Sequence, residues 1–340
     1  MNHQPPTTPA LTSVPDVAPF TRRQFVKCSS AALPCLGLFA SLNQLRGAET
    51  PRAKPNSKFA GVQVGLNVPY SFANGSMSGD DILKSCVQLG LSAVELRTQP
   101  VETFLGVPPD LLNPKKSGDS GGSSVQAGQL AAWRKSVSMA RVKEFRKQYE
   151  HAGVFIEIVK VDGLFKLTEP ELEYVFTLAK TLGGRAISTE ISNQEDDLRR
   201  VGQFADRHRL MVGYHGHATT KPEHWEKAFA LAKHNGANVD LGHFVAGNNV
   251  SPAAFIKEHH QRITHVHVKD RKMHNGPNTP FGEGDTPIVE ILRLIRDHHW
   301  NIQATIEFEY SIPQGSDRMT EIARAIKYCR DALANSPREA

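Results

Sequence analysis

The residues able to do chemistry gather in one stretch of the chain. Between Val212 and Asp270, three apolar runs each end in metal-binding or proton-transferring side chains: Tyr214-His215-Gly216-His217, Asp240-Leu241-Gly242-His243 and His265-Val266-His267-Val268-Lys269-Asp270. Imidazole nitrogens beside carboxylates form a donor set for a divalent cation and also form acid–base pairs. Asp240 follows His215 by 25 residues and His267 follows Asp240 by 27, about one strand-plus-helix repeat each. Three successive repeats thus present polar groups at one end, which in a closed parallel barrel is the C-terminal face.

Asp240 is an acid placed straight after a buried run, where an unpaired carboxylate is costly. A cation, a hydrogen-bonding ligand, an ion pair or an N-cap role would compensate it. His265, His267 and Lys269 share one strand face because side chains alternate. His215 and His217 share another, and Gly216 between them is expected to spare room for a ligand. Glu307 ends the run Gln303–Glu307, with Glu309 one step further out on the same face. Convergence of Asp240, His267 and Glu307 predicts one divalent metal, Mn, Co, Fe or Zn in preference to Mg.

The elements that must position these residues are eight short apolar runs: 62–68, 93–98, 154–161, 186–191, 211–215, 237–241, 263–268 and 304–308. Amphipathic segments lie between them, at 77–89, 125–152, 169–182, 194–208, 222–235, 252–261, 287–298 and 319–333. Eight β-α units predict a (β/α)8 TIM barrel, and 340 residues suit one such barrel plus extensions. Pro287 after Thr286 reads as a first helical residue behind an N-cap. The stretch 108–124 has no apolar period and is expected to be a mobile βα loop or a solvated insertion.

Residues 1–48 read as a disordered leader and export signal, leaving 49–340 as the barrel. Arg22-Arg23-Gln24-Phe25-Val26-Lys27 precedes an uncharged apolar segment, Cys28–Leu42, too short to span a bilayer well. This is the pattern of a Tat signal, so a periplasmic or extracellular location is expected, with a membrane tether only through an uncleaved signal. The signal carries +3 of the formal +5, and the +2 that remains offers no basic footprint for nucleic acid. Cys86 and Cys329, the cysteines outside the signal, are too far apart in sequence for a CxxC-type motif and read as core residues.

The ordered series Val94-Glu95-Leu96, Tyr214-His215-Gly216-His217, Asp240-Leu241-Gly242-His243, His267-Val268-Lys269-Asp270, Gly282-Glu283-Gly284-Asp285 and Ile306-Glu307 resembles the sugar isomerase/epimerase superfamily of xylose isomerase-like TIM barrels. The resemblance runs from about Phe59 to Leu333. It implies one divalent metal, with Asp240, His267 and Glu307 matching three of its four ligands. Ketose epimerases supply a second Glu as the fourth. Here the fifth strand ends in His215, and His215, His217 and Glu190 all stand for that place. The implied function is isomerisation or epimerisation of a sugar or keto-sugar by proton abstraction next to a carbonyl, through a metal-bound enediolate. Glu307 or Glu190 is the base, and His217, His243 and Lys269 are the acid or hydrogen-bonding groups. The histidine-rich fifth strand also resembles inosose dehydratases, which keeps dehydratase or lyase chemistry on a keto-sugar or 3-keto-glycoside as the alternative. A three-metal nuclease would need more early-strand ligands than Glu95 and Glu157, and a noncatalytic sugar-binding protein is a further reading. Homo-oligomerisation is compatible with all of these.

Overall fold

The computed structural model describes residues 53–112 and 120–334. The twin arginine, the apolar segment after it, Cys28 and Cys35 lie outside the described residues, as do positions 113–119 of the expected loop.

Eight parallel strands make the barrel: β1 (Val62–Val68), β2 (Ala93–Arg97), β3 (Phe155–Lys160), β4 (Ala186–Glu190), β5 (Met211–His215), β6 (Asn235–Asp240), β7 (Ile263–Val268) and β8 (Gln303–Ile306). Each pairs with the next, and β8 closes on β1 with Ala304 opposite Val64. The principal outer helices are α1 (Gly79–Gln88), α2 (Met139–Ala152), α3 (Glu169–Leu182), α4 (Glu195–His208), α5 (Pro222–Leu231), α6 (Ala253–His259), α7 (Ile288–Asp297) and α8 (Arg318–Ala334). Helix α7 shows why they form: Ile288, Ile291, Leu292 and Ile295 recur at helical spacing and are all buried. Helix α3 has both end signals. The Thr168 backbone N–H donates to Glu171 Oε2 at 3.0 Å, and Gly183 closes it at φ 89°.

The apolar core lies between strands and helices and includes Cys86 and Cys329, both free and buried. The barrel interior is different. Asn67, Glu95, Ser188, Asn238, His265, His267 and Thr305 are all buried strand residues. Interiors of such barrels are commonly filled by branched aliphatics, so this polar column belongs to the site above it. Among the described residues no helix is long and apolar enough to cross a membrane.

Three local expectations are corrected. The segment 125–152 is two helices, Ser120–Ser136 and α2, because Ser138 caps the second by accepting from the Ala140 N–H at 3.3 Å. Most of the expected 108–124 loop is helical where described, with Pro109–Leu112 and the first turn of Ser120–Ser136. Pro287 occupies the N-cap position itself, since Thr286 Oγ1 accepts instead from the Arg271 N–H at 3.0 Å.

The Ser120–Ser136 helix is pinned to the barrel through Arg134, whose guanidinium bridges Glu102 at 2.8 Å and Glu171 at 3.0 Å. Both carboxylates are buried, so removing the arginine strands two charges. Arg134→Met is expected to lower the unfolding free energy by about 3–5 kcal/mol in urea titration. A loss below about 1 kcal/mol would mean that the bridge is not structural.

Candidate metal centre

The strand register builds the site. Asp240 is opposite His267 across β6 and β7, and His267 is opposite Thr305 across β7 and β8, with Glu307 two residues beyond. Nδ1 of His267 is 3.3 Å from Glu307 Oε2 and 3.8 Å from Asp240 Oδ2. Two atoms each about 2.1 Å from one ion stand about 3–4 Å apart, so these spacings suit a shared cation. All of these atoms are buried, and Asp240 Oδ2 also lies 3.1 Å from the Lys269 ammonium. An imidazole nitrogen between two carboxylate oxygens is a donor set that a cation could share once Nδ1 gives up its proton. The other Asp240 oxygen caps the helix Leu241–Asn248, accepting from the His243 N–H at 2.7 Å.

Glu95 sets the orientation of His267. Its Oε2 is 2.6 Å from His267 Nε2 and 3.4 Å from His265 Nε2, with all three side chains wholly buried. Burial pushes the Glu95 carboxyl up, but the charges of His267 and His265 outweigh it and hold the group well below the usual carboxylate range. Burial likewise pulls His267 down, and the carboxylates of Glu307 and Glu95 raise it instead to about 10. His267 therefore keeps Nε2–H toward Glu95 and turns Nδ1 to the mouth. A carboxylate behind a metal-binding histidine serves this purpose in metal sites generally.

The amide of Asn238 follows from the same logic. Its terminal group is 3.2 Å from His215 Nδ1 and 3.1 Å from His267 Nε2, and the second of these already carries a proton. Nδ2 occupies that place with Oδ1 buried and unpartnered, and turning the amide over would let Oδ1 accept from a His215 Nδ1–H. His215 then bears its proton on Nδ1 and offers the Nε2 lone pair. Burial first, then the charges of His267 and Lys160, keep this ring neutral, well below its usual pKa. Ligand atoms of His215, Asp240, His243 and Glu307 all lie within 4.8 Å of one another.

Lys269 brings positive charge into the centre. Its Nζ is 2.6 Å from Glu309 Oε2, 2.7 Å from Glu307 Oε2 and 3.1 Å from Asp240 Oδ2, one oxygen for each of three protons. Burial opposes its charge, but Asp240, Glu307 and Glu309 raise its pKa. Burial also raises Glu307, and His267 and Lys269 reverse that, holding it well below its usual value. Both ring nitrogens of His243 face cationic donors, Nδ1 the Arg271 guanidinium at 2.7 Å and Nε2 the Lys269 ammonium at 3.1 Å.

Glu190 stands apart from this cluster. It pairs with Lys160 at 2.7 Å through Oε1 and with His217 at 2.7 Å through Oε2. Burial pushes Glu190 up, and the His217 bond with nearby His215 and Lys160 brings it below its usual range. The Glu190 bond raises His217, which is about half exposed at the mouth. Gly216 serves a packing role in place of the expected ligand space: a Cβ there would lie 2.3 Å from the Trp225 ring. The Gly282–Asp285 motif is explained by Asp270, which accepts from the Gly282, Gly284 and Thr286 N–H groups at 2.8, 3.0 and 3.2 Å. Lys160, Asn67, Asn238 and Arg271 escaped the sequence reading. For Asn67 and Asn238, the available signal was an amide one or two residues before a strand end.

These features define a (β/α)8 barrel with a candidate cation site at the C-terminal ends of its later strands. Residues 121–332 match the xylose isomerase-like TIM barrel family, and the chain belongs to it. No curated protein matches the chain. Among solved structures it is similar to the probable 3-DHS dehydratase AsbF of Bacillus anthracis, with TM-score 0.56, 14% identity, and 81% of this chain and 100% of that one covered. It is similar to a xylose isomerase domain protein of Planctomyces limnophilus, with TM-score 0.55, 13% identity and coverage of 83% and 100%. The apo 3-keto-D-glucoside 4-epimerase YcjR of E. coli gives TM-score 0.53, 12% identity and coverage of 79% and 99%. At these identities the likeness is one of fold.

Because His267 is held protonated up to about 10, a metal at Nδ1 must displace a proton at neutral pH. Apparent affinity for Mn²⁺ is therefore expected to rise with pH across neutrality, by about tenfold per unit for one proton. Calorimetry in two buffers of different ionisation enthalpy should show about one proton released per ion; no release would contradict the His267 assignment. Glu95→Ala should weaken Mn²⁺ binding by about 10–100-fold, with Glu95→Gln partly restoring it through its carbonyl. Unchanged affinity in Glu95→Ala would remove the supporting role.

Proposed function

We propose that the protein is a divalent-metal-dependent sugar isomerase or epimerase that abstracts a proton next to a carbonyl. The observation that carries this reading is the convergence of Asp240 Oδ2 and Glu307 Oε2 on His267 Nδ1, at 3.8 and 3.3 Å. Asp240, His267, Glu307 and His215 would hold the ion. When bound, it supplies Lewis acidity to a carbonyl and adjacent hydroxyl, which favours Mn, Co, Fe or Zn given the nitrogen content of the set.

The chain's own groups divide the remaining work. Glu307 receives the proton from carbon. Asn67 donates to its Oε1 at 2.8 Å and fixes the carboxylate plane. The cations that keep Glu307 ionised also make it a weak base, so the step requires an acidified C–H, in agreement with a carbonyl polarised at the same centre. Lys269, held against Glu307 and His243, would place its positive charge beside the developing oxyanion. Glu309 and Asp240 keep the lysine in place.

Elimination is the second reading, and a specific observation favours it. Glu190, the other carboxylate that could serve as an epimerase base, is paired with Lys160 and His217. His217, whose pKa the Glu190 bond raises, stands at the mouth, where an imidazole acid would suit protonation of a departing oxygen in dehydratase or lyase chemistry. The Tat route and a periplasmic or extracellular location remain part of the proposal, on the motif Arg22-Arg23-Gln24-Phe25-Val26-Lys27 alone.

The test is NMR of the Mn²⁺-loaded protein with free ketoses and 3-keto-glucosides in deuterated water. Deuterium at the carbon next to the carbonyl is expected, together with a new isomer for isomerase or epimerase chemistry or a released aglycone for lyase chemistry. Absence of both exchange and turnover across the panel would overturn the proposal. Glu307→Gln is expected to reduce exchange by about 10²–10⁴-fold.

A further inference from the structure

Three carboxylates near the mouth are held in the same way. One oxygen of each is fixed from behind: Asp240 Oδ1 accepts from the His243 N–H at 2.7 Å, Glu307 Oε1 from the Asn67 amide at 2.8 Å and Glu309 Oε1 from the Tyr70 hydroxyl at 2.5 Å. The other oxygen of each turns to one place. There Lys269 Nζ lies 3.1 Å from Asp240 Oδ2, 2.7 Å from Glu307 Oε2 and 2.6 Å from Glu309 Oε2. His243 completes the enclosure, with Nε2 3.1 Å from Nζ and Nδ1 held by Arg271 at 2.7 Å.

Three carboxylate oxygens and an imidazole nitrogen, each steadied by an outer partner, make the donor set of a divalent cation. An ammonium fills such a set incompletely, because it has three protons for four partners and the oxygens take them all. Its single charge also faces three carboxylates, where an ordinary ion pair needs one. Two of the oxygens, Asp240 Oδ2 and Glu307 Oε2, are those of the candidate centre beside His267 Nδ1. Neighbouring cations that share ligands are the arrangement of two-metal sites, whose ions stand about 3.5–4 Å apart. The chain also makes room for the buried lysine stem: at Gly242 a Cβ would lie 3.0 Å from Lys269 Cγ.

We infer that Asp240, Glu307, Glu309 and His243 form a second cation site, which the chain fills with its own Lys269, so that the lysine limits the centre to one metal ion. The inference rests on the proposed function only for the ion beside His267, and it has its own readout.

The full chain, as wild type, Lys269→Ala and Lys269→Arg, is loaded with Mn²⁺, and bound metal per chain is counted by plasma mass spectrometry after gel filtration. Lys269→Ala is expected to hold one ion more than wild type, and Lys269→Arg, which keeps the charge, no more than wild type. Adding Glu309→Ala to Lys269→Ala should remove the gained ion. Equal counts for wild type and Lys269→Ala overturn the inference, as does a gained ion that survives the loss of Glu309 or appears in Lys269→Arg. Because three buried carboxylates without a cation are costly, Lys269→Ala is also refolded with and without Mn²⁺. Folding that requires Mn²⁺ supports the inference, and failure to fold in both conditions overturns it. A wild type that binds no Mn²⁺ counts against the metal reading instead, while the difference between wild type and Lys269→Ala still decides the inference.

Discussion

Asp240, Glu307 and Glu309 converge on Lys269 inside a space where isolated charges would be expensive. Much of the upper barrel answers this constraint. Lys269 is pulled in with no solvent of its own, His267 is charged between Glu307 and Glu95, and Asn67 takes the remaining oxygen of Glu307. The interior below is polar because each of these groups needs a partner further down. Glu95 reaches His265 as well as His267, and Asn238 reaches His215 and His267. On the side that faces the mouth, His267 Nδ1 is left 3.3 Å from Glu307 Oε2 and 3.8 Å from Asp240 Oδ2.

Much of the fold could be read from the chain because its signals are local. Apolar runs separated by amphipathic segments place the strands within about two residues, and β1, β5 and β7 coincide with the expected runs. The misreadings are also local. Ser138 acts as an N-cap inside what looks like continuous helical periodicity, and Thr286 spends its hydroxyl on Arg271 across 15 residues. A sequence window cannot see the second partner.

The site was legible in its residue types and less so in its wiring. Asp240, His267, Glu307, Lys269, His215 and His243 lie together as the strand-end spacing suggests. The role of each nitrogen depends on contacts between distant parts of the chain: Glu95 with His267 across 172 residues, Asn67 with Glu307 across 240. Glu190 and His217 share the mouth, but Lys160 draws Glu190 away from the centre, and nothing about a lysine ending an apolar strand announces that. The distinction between a two-carboxylate epimerase and a carboxylate–histidine enzyme is set by this pairing.

The central claim is that one cation sits between Asp240 Oδ2, His267 Nδ1 and Glu307 Oε2. Anomalous diffraction from crystals soaked in Mn²⁺ and recorded at the manganese edge tests it most directly. The account requires a single peak about 2.0–2.3 Å from those three atoms. No peak in the barrel, or one only among Glu95, His265 and His267, would contradict it.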